Sequence, residues 1–362
     1  MAGYTKALTL QKSATARTPL YHDAIVQEQA IPPLKQGQVL VKMGAVAFNH
    51  RDLWIRKGLY PRIALGSTFG ADGAGTVIAA ADKNDPLLQQ RVFLTPMRGW
   101  ESGPNGPESN FGILGGTSFP LLGTFSEYVV VDRQEVILTP SHLDDVQIAA
   151  WPLAGLTAWR AVVVLAKVKL SQNVLITGIG GGVALIAMQI CIAKGASVYV
   201  TSGTEEKIEK AVAHGAKGGA IYKNDKWAAQ IVALIKKTSP GHPTLDSIID
   251  SGGGDIMGQT SQYMKFGGKV VCYGMTANPK ITLTMREVLR SQHLLGTMMG
   301  SRQDMQDATK FLSEKGIIPV VSHVLSGLEA AEDGFNLMQK GEQFGKIVIQ
   351  IKDQASPVKS NL

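Results

Sequence analysis

An α/β protein is predicted, with a doubly wound parallel sheet in the middle of the chain and a mainly antiparallel, barrel-like region ahead of it. Three observations carry this. Residues 173–203 read as strand, glycine turn, helix and strand, in that order. Strand and helix go on alternating from there to about residue 298. Before residue 141 there is no such alternation, only short runs such as 39–43 and 75–79 separated by Pro, Gly and Asp. A chain of 362 residues, 44% hydrophobic, has ample core for two lobes.

Taken in order, residues 6–10 are a first strand, and strand character recurs at 39–43 and 75–79. Segment 98–120 is rich in Gly, Pro, Ser and Asn and long for a structureless loop, so it is a surface excursion or a functional lid. Strand character returns over 123–132. A helix begins at Asp144, and Trp151, Pro152, Leu153 and Ala154 lead to a second over 156–166. Val174, Leu175 and Ile176 form a buried-strand run, and Gly178, Gly180, Gly181 and Gly182 follow at once. Residues 183–194 carry apolar side chains at helical spacing, and Gly195 stands where a helix ends. A strand at 197–201, a helix at 205–214, a strand at 220–222 and a helix at 227–237 come next. Strand 247–250 ends in Ser251, Gly252, Gly253 and Gly254, and strand 269–273, closing on Tyr273, ends in Gly274. Ligands of open parallel sheets bind at such strand ends. Strand 294–298, helix 303–315 and a closing strand at 345–351 complete the chain, which shows no internal repeat.

A glycine turn between strand and helix lets backbone amides and the helix N-terminus approach a pyrophosphate. Such turns also occur as plain structure, but here the second strand arrives at the spacing a βαβ unit requires. Ala184 takes the place where many such sites have a last close-packing glycine. NAD sites put Asp or Glu at the end of the second strand, on the ribose 2′-hydroxyl. This chain has Thr201, Ser202, Gly203 and Thr204 there, then Lys207. Small hydroxyls leave room for a 2′-phosphate, and Lys207 can neutralise it. Glu205 and Glu206, in the first turn of a helix, are ordinary dipole partners. NADP(H) is the expected cofactor.

Other classes are disfavoured. No run approaches the apolar length of a membrane span, and the N-terminus is too polar for a secretory signal, so a cytoplasmic protein is expected. Cys191 and Cys272 fall inside a predicted helix and strand, as buried thiols do. His22, His142, His214, His242, His293 and His323 show no ligand spacing. The formal net charge is +7, but the lysines are dispersed, so nucleic acid is not an expected partner. Ser360, Asn361 and Leu362 echo a peroxisomal address without its lysine.

Three blocks narrow the class. One is Asn49-His50-Arg51-Asp52 with Gly58, Tyr60 and Pro61, followed by Phe69-Gly70-Ala71-Asp72-Gly73-Ala74-Gly75. The second is Gly155-Leu156-Thr157-Ala158-Trp159, and the third Gly215-Ala216 followed by Tyr222. In combination they resemble the medium-chain dehydrogenase/reductase superfamily over nearly the whole chain. The resemblance implies a GroES-like catalytic domain split between residues 1–143 and 297–362, a Rossmann domain over 144–296 between them, and a homodimer. The family's zinc alcohol dehydrogenases place a cysteine where this chain has Asn49, three residues before Asp52. They place a His-Glu pair where it has Ala71-Asp72, and the structural zinc lobe needs four cysteines, of which segment 98–120 has none. No metal is expected. What remains resembles the zinc-free quinone oxidoreductase and enone reductase branch, whose members are often labelled zinc-type.

Without zinc, the charge that develops as hydride arrives needs other support. A conjugated acceptor spreads it into an enolate that hydrogen-bond donors can hold, whereas a saturated carbonyl depends more on a strong acid or metal. The small-molecule substrate is therefore expected to be a quinone or an α,β-unsaturated carbonyl. Asn49 and Tyr60 are the catalytic candidates, one as donor and one as proton source, against a turn residue and a pocket-wall aromatic. Asp52 reads as an ion-pair partner rather than an acid. Thr157 matches the family's nicotinamide end and Tyr222 its adenosine end. With them we count Gly178, Gly180, Gly181, Gly182, Val183, Thr201, Ser202, Lys207, Ser251, Gly252, Tyr273 and Gly274 toward the cofactor. Met298, Gly300, Ser301 and Arg302 follow the last strand, and Lys346 matches the closing Gly-Lys segment, against a solvated lysine. His50, Trp54, Trp100 and Phe111 suggest an aromatic-friendly substrate pocket. Two other readings stay open: a zinc-free carbonyl reductase or alcohol dehydrogenase, and an NADPH-binding protein with a sensing or RNA-binding role.

Overall fold

The computed structural model describes residues 3–15 and 18–352, and the Ser360-Asn361-Leu362 signal lies outside them. The chain divides into two compact units, Met1–Leu153 with Ser301–Leu362, and Ala154–Gly300.

In the first unit the strand Gln38–Ala47 is the spine, because its alternating Val39, Val41 and Met43 are buried. It pairs antiparallel with Asp72–Ala80, with Tyr128–Asp132 and with the chain-closing strand Lys346–Gln350. Register matters here. Ala47 faces Asp72 on one side and Val348 on the other, and the Phe48 amide donates to the Ile347 carbonyl at 3.0 Å. Residues from the front and the back of the chain therefore converge just past Ala47. Strand Val321–Ser326 adds a parallel edge beside Lys346–Gln350, and Arg91–Leu94 and Val136–Leu138 extend the far side. The core beneath is aromatic: Phe48 meets Phe125 and Phe335 edge-on at 4.9 and 5.0 Å, and Phe335 meets Phe69 at 5.5 Å.

Several expected elements change here. Strand character over 123–132 starts only at Tyr128, since the amides of Thr124 and Phe125 are spent on the carbonyls of Gly70 and Phe69. Helix His50–Arg56, not foreseen, begins at Asn49. Segment 98–120 runs over the surface through 101–110, as a surface excursion would, but it is tied down rather than structureless. It carries a two-residue pairing of Met97–Arg98 with Gly112–Ile113, buries Trp100 and Leu114, and is braced by Glu108, which accepts the amides of Glu101 and Ser102 at 2.8 Å each.

The second unit is a six-stranded parallel sheet: Asn173–Ile176, Ser197–Ser202, Gly218–Ile221, Leu245–Asp250, Met264–Cys272 and His293–Gly296. Numbered in that order they lie 3-2-1-4-5-6 across the sheet, the doubly wound Rossmann arrangement. Helices Gly182–Ala193, Glu205–Ala213 and Trp227–Thr238 follow the first three strands. Gly195, at φ 78°, ends the first of these helices as expected. The helix read over 156–166 starts at Pro152, runs to Trp159 and continues as a π-helix over Arg160–Leu165. Lys269 Nζ donates to the carbonyls of Leu165 and Ala166 at 3.0 and 3.3 Å, which satisfies the end of that turn. The last strand stops at Gly296, two residues before its expected end. Among the described residues no helix is long and apolar enough to cross a membrane.

Candidate functional site

The glycine turn of the second unit is built for close approach. Gly178 and Gly180 have φ of 65° and 118°, which side-chain-bearing residues rarely adopt. A Cβ at Gly178 would fall 2.5 Å from Ser251 Oγ, whereas one at Gly181 would meet no atom nearer than 3.9 Å. The space beside Gly181 is therefore open and lies at the N-terminus of helix Gly182–Ala193, whose first amides have no intrahelical acceptor. Ala184, 1% exposed, closes the helix onto the sheet. These residues fit a dinucleotide pyrophosphate.

Thr201 and Ser202 stand differently from expectation. Both are 1% exposed, and their hydroxyls serve the backbone: Thr201 Oγ1 accepts the Gly178 amide at 3.3 Å, and Ser202 Oγ the Thr204 amide at 3.3 Å. They brace the turn instead of facing a ligand, because the strand packs them inward at its end. The hydroxyl left at the surface is that of Thr204, which caps the next helix without a side-chain cap bond. Lys207 is half-buried one turn on. Tyr222 lies one residue past its strand, half exposed rather than in the core, and a Cβ at Gly203 would fall 2.8 Å from its hydroxyl. Gly203 and Tyr222 thus lie together past the end of strand Ser197–Ser202, with Thr204 and Lys207 following in the chain.

At the neighbouring strand ends a buried network supports the turn. Thr177 Oγ1 donates to Asp250 Oδ1 at 2.6 Å, the Ser251 amide donates to Thr177 Oγ1 at 3.0 Å, and the Gly253 amide to Asp250 Oδ2 at 2.7 Å. A Cβ at Gly274 would fall 2.7 Å from the Ser251 carbonyl oxygen, so the chain needs glycine there, while Gly252 is unhindered. Burial pushes the Tyr273 phenol well above its usual range, with Asp250 adding to the push, so it stays protonated. Cys272 is pushed up to about 12 for the same first reason and is no reactive thiol. Thr157, 5% exposed, has Oγ1 3.6 Å from the sulfur of Met299, a residue held at φ 60° between the exposed Met298 and buried Gly300. Val183 is half-buried at the helix start.

The first unit holds a second group of candidates. Asn49 Nδ2 donates to Asp72 Oδ2 at 2.9 Å, and Lys346 Nζ donates to Asn49 Oδ1 at 2.7 Å and to Asp72 Oδ2 at 2.8 Å. Asp72 Oδ1 accepts the Leu153 amide at 2.8 Å. Asn49, Asp72 and Lys346 are 7%, 0% and 5% exposed, so Lys346 is no solvated lysine, and its ammonium is committed within this cluster. Beside it, Asp52 accepts the Asn49 backbone amide at 2.8 Å and lies 3.7 Å from Arg51. The Arg51 guanidinium donates to the Leu114 carbonyl at 2.6 Å and stacks 4.7 Å from the centre of the Tyr60 ring. Sequence reading set Asp72 aside as an altered metal ligand, and the anchoring of Tyr60 by Arg51 left no signal in spacing.

The substrate-pocket candidates form two separate pairs. His50 meets Trp54 at 5.6 Å, and Trp100 meets Phe111 at 6.0 Å. Trp100 is 4% exposed and its indole N–H donates to the Gly103 carbonyl at 2.7 Å, so it is filler rather than pocket wall. Ser301 and Arg302 also have other work. Ser301 Oγ accepts the Asp304 amide at 3.0 Å as the cap of helix Arg302–Lys315, and Arg302 pairs with Glu101.

Residues 35–141 match the family model of the alcohol dehydrogenase GroES-like domain, and residues 182–314 that of the zinc-binding dehydrogenases. The zinc-type alcohol dehydrogenase-like protein YogA of Leptosphaeria maculans is 38% identical over 357 residues, covering 95% of this chain and 99% of its own. A crystal structure of an NAD-dependent alcohol dehydrogenase is 28% identical with a TM-score of 0.81, over 96% of this chain and 100% of that one. The 2-octenoyl-CoA carboxylase reductase CinF, solved with NADP and 2-octenoyl-CoA, has a TM-score of 0.82 over 99% of this chain and 90% of its own. At 19% identity that likeness concerns the fold alone.

The zinc that two of these names imply does not fit the donors present. Ala71 has no ligand atom, Asn49 offers a neutral amide in place of a thiolate, and Asp72 is already bound to an ammonium. Among the described residues no three His, Cys, Asp or Glu side chains are grouped to hold a metal.

Proposed function

The chain belongs to the medium-chain dehydrogenase/reductase superfamily, and on that premise we propose that it is a zinc-independent, NADPH-dependent reductase of quinones or α,β-unsaturated carbonyls. The observation that carries this reading is the Asn49–Asp72–Lys346 cluster, which puts hydrogen-bond donors and a buried cation where a metal-dependent relative needs ligands. A reduced nicotinamide, when bound, supplies hydride to the β-carbon of the acceptor. The chain's part is to hold the charge that then spreads to the acceptor oxygen. One Asn49 N–H is fixed on Asp72, and the other is left to donate to that oxygen. Tyr60, its ring held by Arg51, or water then gives a proton to the α-carbon, so that one hydride and one proton saturate the double bond.

The preference for NADPH rests on the adenosine end. No carboxylate closes the strand Ser197–Ser202, and Thr204, Lys207 and Tyr222 present hydroxyls and a cation suited to a 2′-phosphate. A homodimer suits the free edge of the six-stranded sheet. His293–Gly296 is its end strand, and Phe266, Leu283, Met285, Val288 and Leu289, 45–75% exposed, lie in the segments before it.

The deciding measurement is NADPH oxidation, with NADH and chelator controls, against matched quinone, enone and saturated-ketone acceptors. Turnover of quinone or enone, faster with NADPH and indifferent to chelator, is the expected result. Reduction of the saturated ketone alone would move the assignment to a zinc-free carbonyl reductase. Binding of NADPH without any turnover would favour a sensing or RNA-binding role.

A further inference from the structure

The formal charge of the chain is +7, and the fold gathers it at one place. Five short segments of the second unit lie at or just before the starts of its parallel strands: 166–172, 194–197, 214–218, 236–246 and 265–269. Together they hold eight lysines and a single acid, Asp246, whereas in the rest of the chain basic and acidic residues are equal in number. Hydrogen bonds fasten neighbouring segments side by side. The Ser171 amide donates to the Gly195 carbonyl at 2.9 Å, the Ser197 amide to the Gln172 carbonyl at 2.8 Å, and Asn173 Nδ2 to the His242 carbonyl at 2.6 Å. The glycine turn lies at the opposite end of the first of these strands. We propose that the lysine-bearing end of the six-stranded sheet is a docking face for an anionic lipid bilayer.

Part of this charge has an ordinary reason. Lys194, Lys236 and Lys237 stand at the ends of helices Gly182–Ala193 and Trp227–Thr238, where cations complement the helix dipole. Lys167, Lys169 and Lys217 are exposed in the turns and have no helix end to serve. Like charges oppose one another here: burial first, and then Lys167, Lys265 and Lys169, hold Lys269 below the usual lysine range. Asp246 gives the turn lysines no relief. It is 3% exposed, lies 2.6 Å from Lys265 Nζ and 2.7 Å from His242 Nε2, and accepts the Asn173 amide at 2.8 Å. Such self-repulsion weakens the fold, and an anionic partner turns it into attraction. The kind of partner follows from two further features. Leu170, 73% exposed, stands among these lysines against Gly195, where a Cβ would fall 2.4 Å from its side chain. Headgroup phosphates take the lysines and the interface takes the protruding leucine, with no membrane-crossing helix required. The five segments contain no arginine, whose planar fork is the favoured reader of nucleic-acid phosphates.

This inference is independent of the reductase reading, and its test needs no acceptor. The full chain is sedimented with phosphatidylcholine vesicles and with vesicles that also contain phosphatidylserine, at about 0.1 M and about 1 M salt. Binding is expected to the phosphatidylserine vesicles alone and only at the lower salt. K167E/K169E/K217E should bind them at least about tenfold more weakly, with NADPH binding unchanged and a Tm no lower than wild type, since repulsion is relieved. Leu170→Ser should weaken binding several-fold and keep the salt dependence. K35E/K83E/K310E makes the same change in net charge on exposed lysines of the first unit, and should bind as wild type does. No binding to phosphatidylserine vesicles, equal binding to neutral ones, or an equal loss in the K35E/K83E/K310E control would overturn the proposal. Tight binding of a single-stranded RNA oligonucleotide at the lower salt, without vesicle binding, would give the face to nucleic acid and overturn the lipid assignment.

Discussion

Asp52 shows how strongly burial acts on a single group in this site. It is fully buried in the first turn of helix His50–Arg56, with one carboxylate oxygen on the Asn49 amide and the other without a hydrogen-bond partner. Burial raises its carboxyl from 3.8 to about 6, against the opposing pull of Arg51. The folded value lies above the unfolded one, so ionisation opposes folding. That cost is absent below about pH 4, grows as pH rises toward 6 and is constant above. Asp52→Asn should match wild type in urea unfolding near pH 4 and exceed it by up to about 3 kcal/mol at pH 7. A stability gap that closes as pH rises would contradict this. Asn49 and Tyr60 were legible as candidates because their spacing matches a family block. The fate of Lys346 was not, since its partners are set by strand register across most of the chain, and no local spacing carries that.

At the scale of elements, what was legible followed from length and period. The helices Gly182–Ala193, Trp227–Thr238 and Arg302–Lys315 and the strands Asn173–Ile176 and Ser197–Ser202 were read nearly to their ends, whereas strand Met264–Cys272, interrupted by Lys265, Gly267 and Gly268, was read only from residue 269. Helix Ala331–Lys340 was passed over because Gly334 interrupts it and glycine is a poor helix former. The fold explains that glycine: a Cβ there would fall 2.3 Å from the Phe48 ring. Ser301 has a task that spacing did not disclose, since a strand end followed by a helix start looks the same whether its hydroxyl caps the helix or meets a ligand. Its cap predicts that Ser301→Ala costs about 1 kcal/mol in denaturant unfolding and leaves KM for NADPH unchanged. A large rise in that KM would restore the ligand role.

At the scale of the molecule, the alternation of strand and helix disclosed the parallel unit, and the short turn-bounded runs disclosed the antiparallel one. The strand that closes the antiparallel sheet was visible only as a strand, not as the neighbour of Gln38–Ala47. The sheet edge carries the assembly prediction. Phe266→Glu with Leu289→Glu should convert a dimer to a monomer in sedimentation at micromolar protein while NADPH binding persists. A wild-type chain that sediments as a monomer would remove the dimer instead.

The return of Lys346–Gln350 to the spine strand also sets an order of events during synthesis. Residues 154–300 are complete, and have everything their parallel sheet requires, before the strand that flanks Gln38–Ala47 has left the ribosome. Until then Ala45, Val46 and Ala47 of the spine lack a neighbour on one side, and Asp72 has no counter-charge to be buried against. A nascent chain therefore holds its glycine turn before Lys346, the partner of Asn49 and Asp72, has been made.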